Sequence, residues 1–348
     1  MSKTTDIVAI LTRELSEGKY PAGSLFPSEY DLVRRFDVNR STANKAVLSL
    51  VTAGLLMRGV RGAGTRVASG GLRSKGRVIF LGSIIHHNEV RTLQGTLKAA
   101  QFSGYSLEVA IPQEQDLKAY LTMLNSDPNI IGIVTIGYEN MPDEYCPNIP
   151  MVYLDMPDPE YHADKHYIAT PNQEAAKKMM EALIAKGHRE IVLYTSPRYQ
   201  VQHTIYRIRG FQEGMREAGI ADVEKRIFTA VDYTDEDAVE NLKKILKRYP
   251  KTTAIVTPSD DLVRTMLQAM NTLGISYPGP IALTGFGNLL DVTTRHGIPT
   301  VEQNQFQFGV QACTSLIDFH EKRCEEIPHI QYVDYKMVNM EHIPRVSE

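Results

Sequence analysis

Apolar residues Ile7, Val8, Ile10, Leu11 and Leu15 share one helical face near the start of the chain, behind Ser2, Thr4 or Thr5 as caps. Gly18, Pro21 and Gly23 then interrupt the pattern. A second helix is predicted from "PSEYDLVRRF". Ser28 is its cap, Glu29 and Asp31 suit the positive helix start, and Leu32, Val33 and Phe36 form the buried face. Asp37 and Val38 make a tight turn. Asn39 caps a third helix that packs through Ala43, Ala46, Val47, Leu50 and Val51. Two short helices joined this closely predict a helix-turn-helix. In "GLLMRGVRGAGTRV", Leu55, Leu56, Val60 and Val67 can anchor two strands, with Gly59, Gly62 and Gly64 supplying turn conformations. The prediction is a hairpin wing tipped by Arg61 and Gly62. A Gly-rich loop can also cradle phosphate, but no βαβ unit surrounds this one.

After a Gly/Ser-rich basic tether at 68–76, the pattern changes. "RVIFLGSII" reads as a buried strand, followed by a helix through Leu93, Leu97, Ala100 and Phe102. Strand "YSLEVAI", helix "DLKAYLTML" and strands "IIGIVTI" and "IPMVYLD" follow. A second alternating series runs from helix Glu174–Lys186 to strand "PIALTGF". Such alternation predicts an α/β fold with two doubly wound parallel sheets in two lobes. The predicted organisation is a winged helix-turn-helix at 1–67, a linker at 68–76 and a two-lobed domain at 77–346. Ligands of doubly wound folds bind at the carboxyl ends of the strands.

Charge sharpens this division. Residues 1–75 hold 12 Lys and Arg against 6 Asp and Glu, while the remainder holds 26 against 35. A basic head on an acidic body implies that the head alone meets a polyanion. No run of about 18 apolar residues occurs, so no membrane partner is expected. The acidic residues Glu14 and Glu17 argue against a signal peptide. Cys146, Cys313 and Cys324 lack CxxC spacing and read as reduced thiols of a cytoplasmic protein.

The segment "LFPSEYDLVRRFDVNRSTANKAVLSLVTAGLLMRGVRGAGTRV" resembles the winged helix-turn-helix of GntR-type repressors. The resemblance implies a homodimer on a palindromic double-stranded DNA operator, with the third helix in the major groove and the wing at the minor groove. Carried over by position, the DNA-binding set is Ser28, Tyr30, Asn39, Arg40, Ser41, Asn44, Lys45, Arg61 and Gly62. Two positions depart from the family. Tyr30 stands where an Arg often contacts DNA, and Asn44 stands where many members have Arg. Asn pairs bidentately with adenine and Arg favours guanine, so the operator is expected to be less G-rich at that step.

The phrases "IPMVYLD", "KGHREIVLY", "RIRGFQEGMREAGI", "TTAIVTPSDDLV", "PIALTGFGN" and "TVEQNQFQFGVQA" resemble the LacI-type effector domain, which is similar to periplasmic sugar-binding proteins. Together, head and body resemble the arabinose-responsive repressors of Gram-positive bacteria. The resemblance implies two lobes joined by three crossovers, a small-molecule effector in the cleft, and lobe closure coupled to DNA release. It places His86, Asn172, Arg207, Asp260, Asn288 and Gln303 at the effector. Pro171 and Gly287 replace acidic positions of the family, which suits a sugar acid or a differently hydroxylated carbohydrate.

Other readings are weaker. Adjacent His86 and His87 at a strand end point apart, so no metal or other cofactor is expected. Asp260 can cap the following helix instead of meeting the effector. Tyr206, Phe286 and Phe306 suit either a sugar ring or the core. Nucleophile elbows, Walker loops and zincin motifs are absent, so the chain is not expected to be an enzyme. The expected function is a ligand-responsive transcriptional repressor. The alternative is a solute-binding protein that senses or carries a polar ligand without regulating DNA.

Overall fold

A computed structural model of the chain describes residues 3–16, 18–21, 23–58, 64–68, 74–82, 84, 87–137, 145, 148–155, 165–196, 202–231 and 234–346. Arg61, Gly62, His86 and Cys146 lie outside the described residues.

The head comprises helices α1 (Lys3–Ser16), α2 (Glu29–Phe36) and α3 (Arg40–Thr52), then antiparallel strands β1 (Leu56–Arg58) and β2 (Thr65–Val67). Ser28 caps α2 reciprocally: its Oγ accepts from the Asp31 amide, and Asp31 accepts from the Ser28 amide. Asp37 ends α2 in the left-handed region, at φ 48°. That reversal sets up Asn39, whose Oδ1 accepts from the Thr42 amide at 2.8 Å. Leu11, Leu32, Ala46, Leu50, Leu56 and Val67 close a core drawn from all these elements. Each fully buried Leu contributes roughly 1.5–3 kcal/mol of transfer free energy.

The body begins with β3 (Arg77–Gly82), α4 (His87–Ser103), β4 (Ser106–Ala110), α5 (Glu114–Leu124), β5 (Ile130–Ile136), β6 (Met151–Leu154) and β7 (His166–Ala169). It continues with α6 (Asn172–Ala185), β8 (Ile191–Thr195), α7 (Gln202–Glu217), β9 (Ile227–Thr229), α8 (Asp235–Arg248), β10 (Ala254–Val256) and α9 (Asp260–Thr272). Then come β11 (Ala282–Phe286), α10 (Leu290–His296), β12 (Thr300–Gln303), α11 (Gln305–His320), β13 (Ile330–Tyr332) and β14 (Tyr335–Val338). One six-stranded sheet has the order β13-β7-β6-β5-β3-β4, and the other has β14-β12-β11-β10-β8-β9.

The chain passes between the sheets three times, from β7 to α6, from β12 to α11, and from β13 to β14. This topology corrects one expectation. The second sheet is not wholly parallel, because β14 runs antiparallel to β12. The reason is directional: β13 ends at the junction of the lobes, so β14 starts there and runs away from it. Short strands β7 and β13 carry no sequence signal, since three or four residues are too few to show a period. Along α4, Ala100 is buried, whereas Leu97 and Phe102 are exposed.

Helices α4 and α11 approach closely at two glycines. A Cβ on Gly95 would lie 1.9 Å from the Phe306 carbonyl oxygen, and one on Gly309 would lie 1.9 Å from that of Thr92. Thr92 Oγ1 also donates to Gln305 Oε1 across this contact, at 3.0 Å.

Candidate functional site

In the head, the start of α3 is polar and exposed. Ser41 and Lys45 are exposed, and Arg40 stacks 5.2 Å from the ring centroid of Tyr30. Tyr30 is itself 62% exposed. Arg40 Nε donates to Glu29 Oε2 at 3.2 Å, and Arg58 Nη2 donates to Glu29 Oε1 at 3.2 Å and Asn44 Oδ1 at 2.6 Å. Ser28 and Asn39 turn their side chains to capping, so they set the backbone course of the two helices.

In the body, polar groups gather at the carboxyl ends of the strands. Arg207 projects from α7 and is only 5% exposed. Its Nε donates to Asn172 Oδ1 at 2.8 Å and its Nη1 to the Pro258 carbonyl at 3.0 Å. The guanidinium lies 3.8 Å from the Phe286 ring centroid, a stacked geometry that holds a cation at little solvation. Across the lobe boundary, Arg207 Nη2 lies 3.7 Å from Asp155 Oδ2. Asp155 follows β6 with φ 63°, and both its carboxylate oxygens accept from Gln303 Nε2 at 3.2 Å. Gln303 also donates to Thr170 Oγ1 at 3.3 Å. Thus Asn172, Arg207 and Gln303 converge, through a carboxylate that motif matching did not single out.

Asp260 opens α9, and Asn288 lies on the loop after β11. Asp260 is fully buried, accepting from the Leu289 amide at 2.8 Å and Thr300 Oγ1 at 2.9 Å. Its capping role is corrected: Ser259 caps α9, because its Oγ accepts from the Asp261 amide. Asp260 instead pins the 286–289 loop, where Asn288 sits at φ 54° and accepts from Thr293 Oγ1. A small cavity of about 100 Å³ there is lined by Arg91, Gly287, Asn288, Glu302, Gln303 and Asn304. Beside the first crossing, a groove of about 780 Å³ is lined by Thr170, Pro171, Asn172, Gln173, Tyr206 and Tyr332. That volume lies within the usual range for small-molecule sites.

His203 lies one turn before Arg207 and belongs to no motif. Its Nδ1 is buried, with no hydrogen-bond partner among the described residues. Burial, opposed by Asp155 and aided by Arg207, lowers its pKa from 6.5 to about 4. Burial raises Asp260 from 3.8 to about 6, against the lowering effect of the Leu289 and Thr300 hydrogen bonds. The two shifts act oppositely on stability. His203 loses its contribution as pH falls from 6.5 through 4, whereas Asp260 contributes below 3.8 and loses that contribution as pH rises through 6. Asp260→Asn should therefore steepen the loss of melting temperature between pH 6.5 and 4, and His203→Gln should flatten it. Each difference from wild type should be on the order of 2 kcal/mol. Calorimetric melts across that range check both, and parallel pH profiles for all three proteins would refute the assignment.

Fold and site together define a helix-turn-helix head carried on a two-lobed body with a polar cleft. Residues 3–67 match the bacterial regulatory proteins of the gntR family, and residues 180–339 match the periplasmic binding protein-like domain. The chain thus joins a GntR-type helix-turn-helix to a periplasmic-binding-protein-like body, and its relatives are LacI- and GntR-type regulators. Catabolite control protein A of Priestia megaterium is 23% identical over 171 residues, covering 49% of each chain. The HTH-type transcriptional regulator GntR of Escherichia coli K12 is 29% identical over 115 residues, covering 33% of this chain and 34% of that one. The chain therefore spans half or less of the length of these relatives. A solved structure, the transcriptional regulator CelR in complex with cellobiose, superposes with a TM-score of 0.65 at 16% identity. It covers 86% of this chain and 90% of that one. No described helix is long and apolar enough to cross a membrane.

Proposed function

We propose that this chain is a cytoplasmic transcriptional repressor whose operator affinity is changed by a carbohydrate or sugar acid bound between its lobes. Its parts would be the DNA-binding head at 1–67, the tether at 68–76 and the effector-binding and dimerisation body at 77–346. The observation that carries the reading is the joining, in one chain, of an exposed polar α3 to lobes that share Arg207 and Asp155 across their boundary. The relatives are regulators, and a neighbour in fold was solved with cellobiose. The relatives support the regulatory reading, and the neighbour supports a carbohydrate class. Buried Arg207 favours an effector with a carboxylate or several hydroxyls.

One head reads a half-site, so a homodimer would read a palindrome. Effector binding would favour one arrangement of the lobes and thereby alter the spacing of the two heads. No catalytic step and no cofactor enters this reading.

Operator affinity of the full chain should fall steeply with salt, because each phosphate contact releases counterions. Arg40→Ala should lower affinity about tenfold and reduce the salt slope by about one. Fluorescence anisotropy on a selected duplex measures both. A flat salt profile with unchanged affinity would favour a solute-binding protein. A thermal-shift screen of sugars and sugar acids identifies the effector class, because a ligand of the folded state raises the melting temperature.

A further inference from the structure

The head holds a polar chain that links two of the DNA-binding positions through Glu29 and Arg58, to which neither the motif nor the proposed function gives a role. It runs from Arg40 on α3 to Glu29 on α2, then to Arg58 on β1, and returns to α3 at Asn44. A single nitrogen of Arg58, Nη2, donates both to Glu29 Oε1 and to Asn44 Oδ1. Arginine carries donors only, so the amide atom facing it must be the oxygen. The Asn44 amide is thereby fixed in one of its two orientations. Oδ1 is engaged by a cation at 2.6 Å, which leaves Nδ2 as the polar atom of the amide to offer to a base.

We propose that Arg58 is a specificity-determining positioning residue that makes Asn44 read DNA as a hydrogen-bond donor. The proposal rests on the DNA-binding reading above and goes beyond it by assigning the readout. Bidentate pairing with adenine needs the amide oxygen and nitrogen side by side on the base edge. With its oxygen turned to Arg58, Asn44 offers a donor to one acceptor. Guanine O6 or N7, adenine N7 and thymine O4 qualify in the major groove, and the cytosine edge, which presents an N4 donor, does not. Glu29 Oε1 accepts from the same nitrogen, a second tie that keeps Arg58 in this pose without DNA.

The test uses the full chain and a random-duplex library. The selected duplex and all its single-base variants are then titrated at one salt concentration. Arg58→Met should abolish discrimination at the same base pair that Asn44→Ala abolishes, by about tenfold at that step. The double variant should discriminate no worse than either single one. Arg58→Lys, which still donates to both partners, should retain the wild-type profile. Uniform weakening on every duplex, with the profile intact and the effects of Asn44→Ala and Arg58→Met multiplying, would make Arg58 a phosphate contact and overturn the proposal. If Arg58→Met melts early, Arg58→Gln, whose amide is free to flip, is read against the same two outcomes. Failure of the wild-type chain to select any duplex would instead overturn the DNA-binding reading itself.

Discussion

Arg207→Met is expected to abolish the effector's influence on operator affinity while leaving effector-free DNA binding intact. The substitution keeps an apolar stem against Phe286 and removes a guanidinium that joins Asn172, the Pro258 carbonyl and Asp155. Truncating one member of a buried charge-assisted contact costs about 2–5 kcal/mol of binding, which is at least thirtyfold in effector affinity. The head shares no core with this site, since its buried cluster runs from Ile7 to Val67 alone. Operator titrations with and without an effector found by the thermal-shift screen decide the matter. A wild-type response from the variant would remove Arg207 from the effector site.

The second large effect is on stability. Gly309→Ala in α11 should destabilise the body by about 2 kcal/mol despite the better helix propensity of Ala. Propensity contributes roughly 1 kcal/mol in favour of the substitution. Against it, the new Cβ would meet the Thr92 carbonyl oxygen at 1.9 Å and the Thr96 amide at 2.6 Å. Both are helix backbone, so relief requires α4 and α11 to separate, loosening Phe308, Ala312 and Leu316 in the core. Overpacking of that kind costs about 1–3 kcal/mol, and more where backbone must move. Thr314→Ala, on the exposed side of α11, is the control and should change stability by less than about 0.5 kcal/mol. Denaturant melts of the two variants check this, and equal stability would mean that the helices part without cost.

Much of this architecture is legible from periodicity. The caps Ser28 and Asn39 precede apolar faces at helical spacing, and the alternation of strand and helix after Arg77 fixes two lobes. The residues proposed to face DNA are local to one helix-turn-helix, so a short motif contains most of them. The cleft is different, because its members meet from far apart. Asn172 and Arg207 resemble known positions, but Asp155 belongs to the other lobe and meets them only across the boundary. Its carboxylate carries no spacing signal, and an Asp after a strand is more often a turn residue. His203 was hidden for a related reason. One turn before Arg207 it reads as an ordinary helix residue, and only the packed lobes show that its Nδ1 is enclosed. Asn44 marks another limit: its identity suggested adenine, whereas its orientation depends on Arg58, fourteen residues away.

The three passages between the sheets have a mechanical consequence. A lone connector would act as a swivel, letting the lobes twist, slide and tilt independently. Three connectors side by side work like the leaves of a door hinge, suppressing twist and shear and leaving opening as the single soft coordinate. An effector would then need to act on that one angle, and whatever moves with the lobes would follow it as a lever follows its pivot.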